Sequence, residues 1–240
     1  MVALVEAPDV THVAVAFDAV VPPSNVKPAE AALASQIGLA ADVVRALGIA
    51  VWPSGRFQAD ELLATGARTF REHPAVDQVV ICTTDLDLAQ CVQNDRVVLL
   101  DRSRKRVTTE DDIVARFGVP PSKLAELFAH VGDRSDGIAG VPGWGLRSAA
   151  ALVTRYGTVD AIPTDASTWD VPVRGAQRLA ASLAEHRNEA VIARDVLALR
   201  DDVTLTVTLD DLEWRGARRD RVDAIADGIE YREPLDWLSR

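Results

Sequence analysis

Apolar and polar positions follow two different patterns along this chain of 240 residues. Up to about residue 119, short apolar runs such as residues 13–17 and 79–82 alternate with stretches whose apolar positions recur at helical spacing, such as residues 33–47. Such alternation is typical of an α/β domain with a mostly parallel sheet. From residue 120 the pattern indicates helices. We therefore predict an α/β domain over residues 1–119 and a helical domain over residues 120–240.

The same pattern predicts the individual elements. The predicted strands are residues 13–17, 49–52, 79–82, 97–100 with Val107 pairing after a turn, and 204–209. The predicted helices are residues 1–7, 33–47, 60–70, 124–131, 149–156, 176–184 and 189–199. The first of them is a helix, because a strand parallel to residues 13–17 would need a crossover of about a dozen residues. The chain is therefore expected to start in the middle of a βαβ unit.

Seven acidic residues fall at predicted strand ends, at a helix start and in the loop before a glycine-rich turn. They are Asp18, Asp60, Glu61, Asp85, Asp87, Asp133 and Asp136. Because the carboxyl ends of parallel strands meet at one crevice, we expect these side chains to converge there. Clustered carboxylates stay ionised when cations are bound, and hard oxygen ligands select Mg²⁺ or Mn²⁺. Taken singly, each acid is also explained as a helix N-terminal charge or a turn residue.

A turn punctuated by Gly143 and Gly145 leads from that loop into a predicted helix. Free backbone N–H groups at a helix start bind a phosphate whatever the base sequence. Arg147 and Ser148 stand in the first helical turn, where both can contact a phosphodiester. The alternative explanation is a glycine-rich cap in a helical bundle.

Together these stretches resemble one known family. Residues 132–162, GDRSDGIAGVPGWGLRSAAALVTRYGTVDAI, are similar to the helix-three-turn-helix of the bacterial 5'-3' exonuclease and flap endonuclease family, which includes the 5'-nuclease domain of DNA polymerase I. Residues 11–18, 57–61, 83–87 and 117–121 also match the family in order and at similar spacing. The resemblance therefore spans most of the chain.

The resemblance implies a PIN-like 5'-nuclease domain followed by a helical DNA-binding region. It implies metal-dependent hydrolysis of DNA phosphodiesters near 5' ends or junctions in replication or repair, on 5'-flapped, nicked or gapped duplexes. It further implies Mg²⁺ or Mn²⁺ as the cofactor, and a monovalent cation, usually K⁺, held by backbone carbonyls within residues 140–145.

Departures from the family pattern concern one of its two metal sites. By resemblance, the complete site uses Asp60, Asp85, Asp87, Asp133 and Asp136. The other site would use Asp18, the pair Asp60 and Glu61, an aspartate of a first strand that has no counterpart here, and a glutamate replaced by Gln58. An amide oxygen brings no charge to a metal. We therefore expect one tight divalent site per chain, a weak second ion, and slow or absent hydrolysis.

Composition changes this picture little. The formal net charge of −10 argues against a nucleic-acid partner, but cations bound by clustered acids would reverse the charge locally. Four basic residues between positions 102 and 106 are better explained as a solvated hairpin tip than as a DNA contact. Cys82 and Cys91 are expected to be buried thiols. The chain lacks a signal-peptide pattern and any apolar run near the roughly 20 residues that span a bilayer, which predicts a cytoplasmic protein without a membrane partner. We also expect a monomer.

Three functions remain open from the residues. The first is the metal-dependent nuclease, in a chain whose assigned start omits a strand. The second is a non-catalytic protein that binds DNA junctions and keeps a single structural metal, and the third is an RNA-cleaving nuclease of the same α/β type. An in-frame strand ending in aspartate just upstream of Met1 would favour the first, and a nearby stop codon would favour the second.

Overall fold

The computed structural model describes residues 2–18, 28–52, 55 and 57–228, which fall into two compact units. The first unit comprises the chain up to Thr65 together with the segment that begins at Asp202, and the second unit is Gly66–Asp201. Helices and parallel strand pairs occur together, so the predicted α/β class is confirmed. The division into domains at residue 119 stays a prediction.

The first unit contains a two-stranded parallel sheet. Strand β1 (Ala14–Ala16) pairs with strand β2 (Ala50–Trp52). Helix α1 (Val2–Val5) comes before β1, helix α2 (Pro28–Ala46) before β2, and helix α8 (Arg219–Gly228) packs against α2. The core of this unit is formed by buried aliphatic side chains from these elements and their flanks: Val5, Val13, Val44, Leu47 and Ile49. The predicted order helix, strand, helix, strand is confirmed.

The second unit contains a three-stranded sheet that follows helix α3 (Ala59–Arg71). Strand β3 (Val79–Ile81) runs parallel to β4 (Val97–Asp101), which pairs with β5 (Arg106–Thr108) in the antiparallel sense. Leu100 lies opposite Val107, as predicted. The four basic residues near the β4–β5 turn are all exposed, which agrees with a solvated hairpin tip.

Four α-helices form most of the rest of the second unit. They are α4 (Glu110–Phe117), α5 (Leu124–Val131), α6 (Leu146–Tyr156) and α7 (Ala176–Leu197). Helix α4 begins where Thr109 and Asp112 form a reciprocal capping box, which satisfies two backbone N–H groups at the helix start. Helix α5 packs against α6 and α7. Each of these three helices buries a leucine completely, so their apolar faces meet in one core.

The two helices expected at residues 176–184 and 189–199 correspond to the two parts of α7, which meet at a kink at His186, where φ is −113° and ψ is 17°. Two predictions about other elements were wrong. Two short strands, β6 (Gly132–Asp133) and β7 (Ile138–Ala139), interrupt a region predicted to be helical. Residues 204–209 form no strand within the described chain, and the Thr208 N–H instead donates to the Asp211 carboxylate at 2.8 Å.

The prediction of buried cysteines was also wrong. Cys82 is exposed, and Cys91 is half-buried. Cys82 lies just beyond β3, and side chains along a strand alternate between its faces. It therefore shares the face of Val80, which is itself 44% exposed.

Among the described residues, no helix combines the length and the apolar character needed to cross a lipid bilayer.

Candidate metal centre and nucleic-acid interface

Three of the predicted acids come together in the second unit. One carboxylate oxygen from each of Asp87, Asp133 and Asp136 lies within 4.8 Å of the others. Asp87 and Asp133 are half-buried, whereas Asp136 is exposed. Negative charges this close repel one another unless a cation offsets them. We call these three residues the acidic cluster, and its oxygen atoms could bind a metal ion.

The β6–β7 hairpin presents two members of the acidic cluster. Asp133 ends β6, and its Oδ1 accepts hydrogen bonds from the hydroxyl of Ser135 and, at 2.8 Å, from the Ser135 N–H. Asp136 lies in the turn that follows. The base of the hairpin requires glycine at position 140, because a Cβ there would lie 2.3 Å from the carbonyl carbon of Val131. The tight backbone approach thus brings Asp133 and Asp136 to the same place.

The third member comes from the segment after β3. The Asp85 N–H donates to the Thr83 hydroxyl at 3.0 Å, and the Asp85 carboxylate accepts from the Asp87 N–H at 3.0 Å. These bonds form two consecutive side-chain turns that lead into a short 3-10 helix, Asp87–Cys91. Asp85 holds the start of this helix and lies outside the acidic cluster of the described chain. Its role as a metal ligand stays a prediction.

The remaining predicted acids belong to the first unit, at the start of α3. Asp18 Oδ1 accepts from the Ala59 N–H at 3.0 Å, and Glu61 accepts from the Gln58 N–H at 2.9 Å. Asp60 accepts from the Glu61 N–H at 2.7 Å. Carboxylates are favoured here because the first N–H groups of a helix have no partner within it. That Asp18, Asp60 and Glu61 also bind metal stays a prediction.

The glycine turn follows the acidic hairpin directly and opens helix α6. Gly143 has φ of +81°, a backbone conformation that favours glycine, and Gly145 is the residue before the helix. Trp144 between them is 8% exposed, and its Nε1 donates to the Leu179 carbonyl at 3.1 Å. Arg147 is exposed and Ser148 half-buried in the first turn of α6. The turn is anchored by an indole on its inner side, while both glycines are exposed.

His130 lies near both the acidic hairpin and the glycine turn, and the sequence analysis did not single it out. It is completely buried, and its ring centroid lies 4.5 Å from that of Trp144. Burial is the main cause that lowers the pKa of His130 from 6.5 to about 4, so the ring is neutral at pH 7. The available signal was its spacing, because His130 continues the buried face of Leu124 and Leu127 along α5.

The sequence of the whole region matches one family. Residues 1–118 match the family described as 5'-3' exonuclease, N-terminal resolvase-like domain, and residues 119–220 match 5'-3' exonuclease, C-terminal SAM fold. The chain belongs to the 5'-3' exonuclease family. The resemblance that the motifs indicated is therefore confirmed.

Individual relatives agree with this family. DNA polymerase I of Mycobacterium leprae (strain TN) is 34% identical over 206 residues, which are 85% of this chain and 22% of that protein. The chain thus spans less than a quarter of the length of this curated relative. DNA polymerase I of Pseudomonas aeruginosa is 32% identical over 206 residues, with the same 22% of its length covered.

Solved structures show the same fold. The T5 D15 protein co-crystallised with metal ions has a TM-score of 0.56 and 19% identity, over 86% of this chain and 72% of that one. This likeness supports the fold alone, because the sequence identity is low.

Proposed function

We propose that this chain is a metal-dependent 5'-3' exonuclease or flap endonuclease. It hydrolyses DNA phosphodiesters near 5' ends or junctions, in replication or repair, and acts as a monomer on 5'-flapped, nicked or gapped duplexes. The observation that carries the proposal is the acidic cluster, whose oxygens lie within 4.8 Å of one another in the same unit as the glycine turn. A cation site thus lies next in the chain to a phosphate-binding turn.

The donor set fits a hard divalent cation. Asp87, Asp133 and Asp136 offer only carboxylate oxygens, which suit Mg²⁺ or Mn²⁺ and leave room for water ligands. Asp85 is proposed as a further ligand, and the acids Asp18, Asp60 and Glu61 of the first unit are also proposed to bind metal. Such an ion, when bound, lowers the pKa of a water and stabilises the leaving oxygen of a phosphodiester.

The protein's own groups bind and orient the DNA. Gly143 and Gly145 leave the start of α6 open on its outer side, so backbone N–H groups there can donate to a phosphate oxygen. Arg147 adds a positive charge and Ser148 a hydroxyl donor in the same turn. These contacts read no base, so binding is independent of sequence.

We also propose that K⁺ binds backbone carbonyls within residues 140–145. The Val141 carbonyl accepts from the Trp144 N–H at 3.1 Å, and the Pro142 carbonyl from the Ser182 hydroxyl at 2.8 Å. Each carbonyl keeps a second lone pair for a cation. Higher DNA affinity in K⁺ than in a bulky organic cation, at matched ionic strength, is the expected result, and equal affinities would contradict it.

The nuclease proposal is tested with a 5'-flapped duplex labelled at its 5' end. The chain is expected to release a labelled product slowly in Mg²⁺ or Mn²⁺ and to stop when a chelator is added. Asp133→Asn should abolish cleavage, while Asp111→Asn, which removes an exposed acid of α4 outside the cluster, should leave it unchanged. Cleavage that survives both the chelator and Asp133→Asn would contradict the proposal.

Gln58 favours a second candidate, a non-catalytic protein that binds DNA junctions. It stands where the family resemblance expects a glutamate, and an amide brings no charge to a metal. The same experiment separates the two candidates. Tight binding of the flapped duplex without metal-dependent cleavage would select the binding protein.

A further inference from the structure

The ring of His130 supports the glycine turn from inside the second unit. The two ring planes of His130 and Trp144 are tilted by 30°, with their centroids 4.5 Å apart, so the rings are in direct contact. Trp144 stands between Gly143 and Gly145, the residues that open the phosphate-binding surface. A displacement of the indole would therefore move the backbone on both sides of it.

The helix that carries His130 also fixes the orientation of its ring. The Nδ1 atom lies 2.7 Å from the Glu126 carbonyl oxygen, one turn earlier in α5. Because a carbonyl only accepts, Nδ1 carries the proton of the neutral ring, and Nε2 is a bare acceptor. Nε2 is buried and has no hydrogen-bond partner among the described residues. An unpaired buried acceptor lowers the stability of the fold. A gain in folding free energy at Nε2 is therefore not the reason for a histidine at this position.

Two hydrogen bonds to backbone carbonyls of neighbouring helices hold the turn. The Val141 N–H donates to the His130 carbonyl at 2.8 Å, which fastens the chain before the turn to the end of α5. The indole Nε1 of Trp144 donates to the Leu179 carbonyl of α7 at 3.1 Å. The turn is therefore held between two helices, and the ring of His130 is a side chain of α5 that contacts its indole.

We propose that His130 is a positioning residue for the phosphate-binding turn. Its ring, oriented by the bond to Glu126, sets the indole of Trp144 and thereby the backbone N–H groups that begin after Gly145. The inference rests on the proposed function of that turn. It assigns a role in DNA binding to a neutral, buried side chain that does not touch DNA.

The test compares His130→Leu with Phe128→Leu. Both substitutions remove a ring from α5, but the ring of Phe128 packs against Phe117, with centroids 5.5 Å apart, and serves as the matched control. His130→Leu should weaken binding of unrelated duplexes by about three- to tenfold, the loss of one ring contact. Phe128→Leu should leave the affinity unchanged.

Nuclear magnetic resonance of the free protein gives a second readout. His130→Leu is expected to shift the amide resonances of Gly143 and Gly145, and Phe128→Leu is not. Unmoved glycine resonances in a folded His130→Leu protein would overturn the inference, and so would equal losses of affinity in the two variants.

The conservative variant His130→Phe keeps a ring against Trp144 and loses the bond to Glu126. It should recover part of the affinity lost in His130→Leu, and it replaces that variant if leucine prevents folding. If His130→Phe recovers none of the affinity, the ring contact with Trp144 is not the cause of the loss. If the wild-type chain binds no DNA, the proposed function fails, whereas the glycine resonances still decide whether His130 sets the turn.

Discussion

The Asp18 carboxylate accepts a hydrogen bond of 3.0 Å from the backbone N–H of Ala59, 41 positions further along the chain. This bond ties the segment after β1 to the first residue of α3. A predicted metal ligand thus also has a structural task, because it satisfies an N–H group that the helix itself leaves unpaired.

Asp18→Ala should lower the free energy of unfolding in chelator by about 1 kcal/mol, the usual loss when a helix N-terminus loses its side-chain acceptor. Asp18→Asn keeps an oxygen that can accept and should lose less. Urea denaturation of the three proteins measures both effects. Equal stabilities without metal would mean that the bond to Ala59 contributes nothing to folding.

Gly145→Asp should weaken DNA binding similarly for duplexes of unrelated sequence. A side chain fits at this position, since φ is −129° and a Cβ would meet no atom within 4 Å. The added charge would repel phosphate at the start of α6. Gly145→Asn, similar in shape and neutral, is the control and should retain most of the affinity. Unchanged affinity of Gly145→Asp in a salt titration would mean that the turn is merely a helix cap.

Gly140→Ala should lower the free energy of unfolding more than Gly137→Ala does. A Cβ at Gly140 would lie 2.3 Å from backbone, and the loss is expected to reach about 3 kcal/mol or more. At Gly137 φ is +70° with open space around it, so the conformational cost alone is about 1 kcal/mol. Thermal unfolding gives the two values. A Gly140→Ala protein as stable as Gly137→Ala would show that the base of the hairpin is loose.

The free energy of unfolding should decrease as the pH is lowered from 6.5 to 4, and part of this decrease should come from His130. Burial lowers the pKa of this ring from 6.5 to about 4; the bond to the Glu126 carbonyl opposes this shift, and the nearby charge of Arg187 adds to it. The unfolded chain therefore takes up a proton that the folded chain refuses, and the stability present above pH 6.5 is lost as the pH falls.

Between these two pH values the wild type should lose about 3 kcal/mol more than His130→Phe, which has no such group. Urea unfolding at both pH values measures the difference. Identical losses in the two proteins would show that the ring is protonated in the folded state as readily as in the unfolded one.

Much of the fold follows from local pattern. The apolar run before Asp85 forms strand β3. The glycine at position 48 follows α2 with a φ of +76°, a conformation that favours glycine and ends the helix. The acids at 87, 133 and 136 are three of the seven that the sequence was expected to bring together. Local rules sufficed where neighbours along the chain determine the conformation.

Other features depend on contacts between distant residues. The ring contact between His130 and Trp144 joins α5 to the glycine turn, and the strands β6 and β7 depend on the close approach of Gly140 to Val131. Likewise, Cys82 is exposed because of the face it takes beyond β3, which an apolar run does not specify. Periodicity along one segment carries no information about such pairs.

The central claim is that the acidic cluster binds a divalent cation. Calorimetric titration of the chain with Mn²⁺ tests it most directly, with the paired variant Asp87→Asn and Asp136→Asn beside the wild type. As a control, Asp95→Asn with Asp111→Asn removes two exposed acids of the second unit outside the cluster. We predict one high-affinity binding event in the wild type and the control, and none in the cluster variant. Two equally tight ions, or a tight event that survives in the cluster variant, would contradict the account.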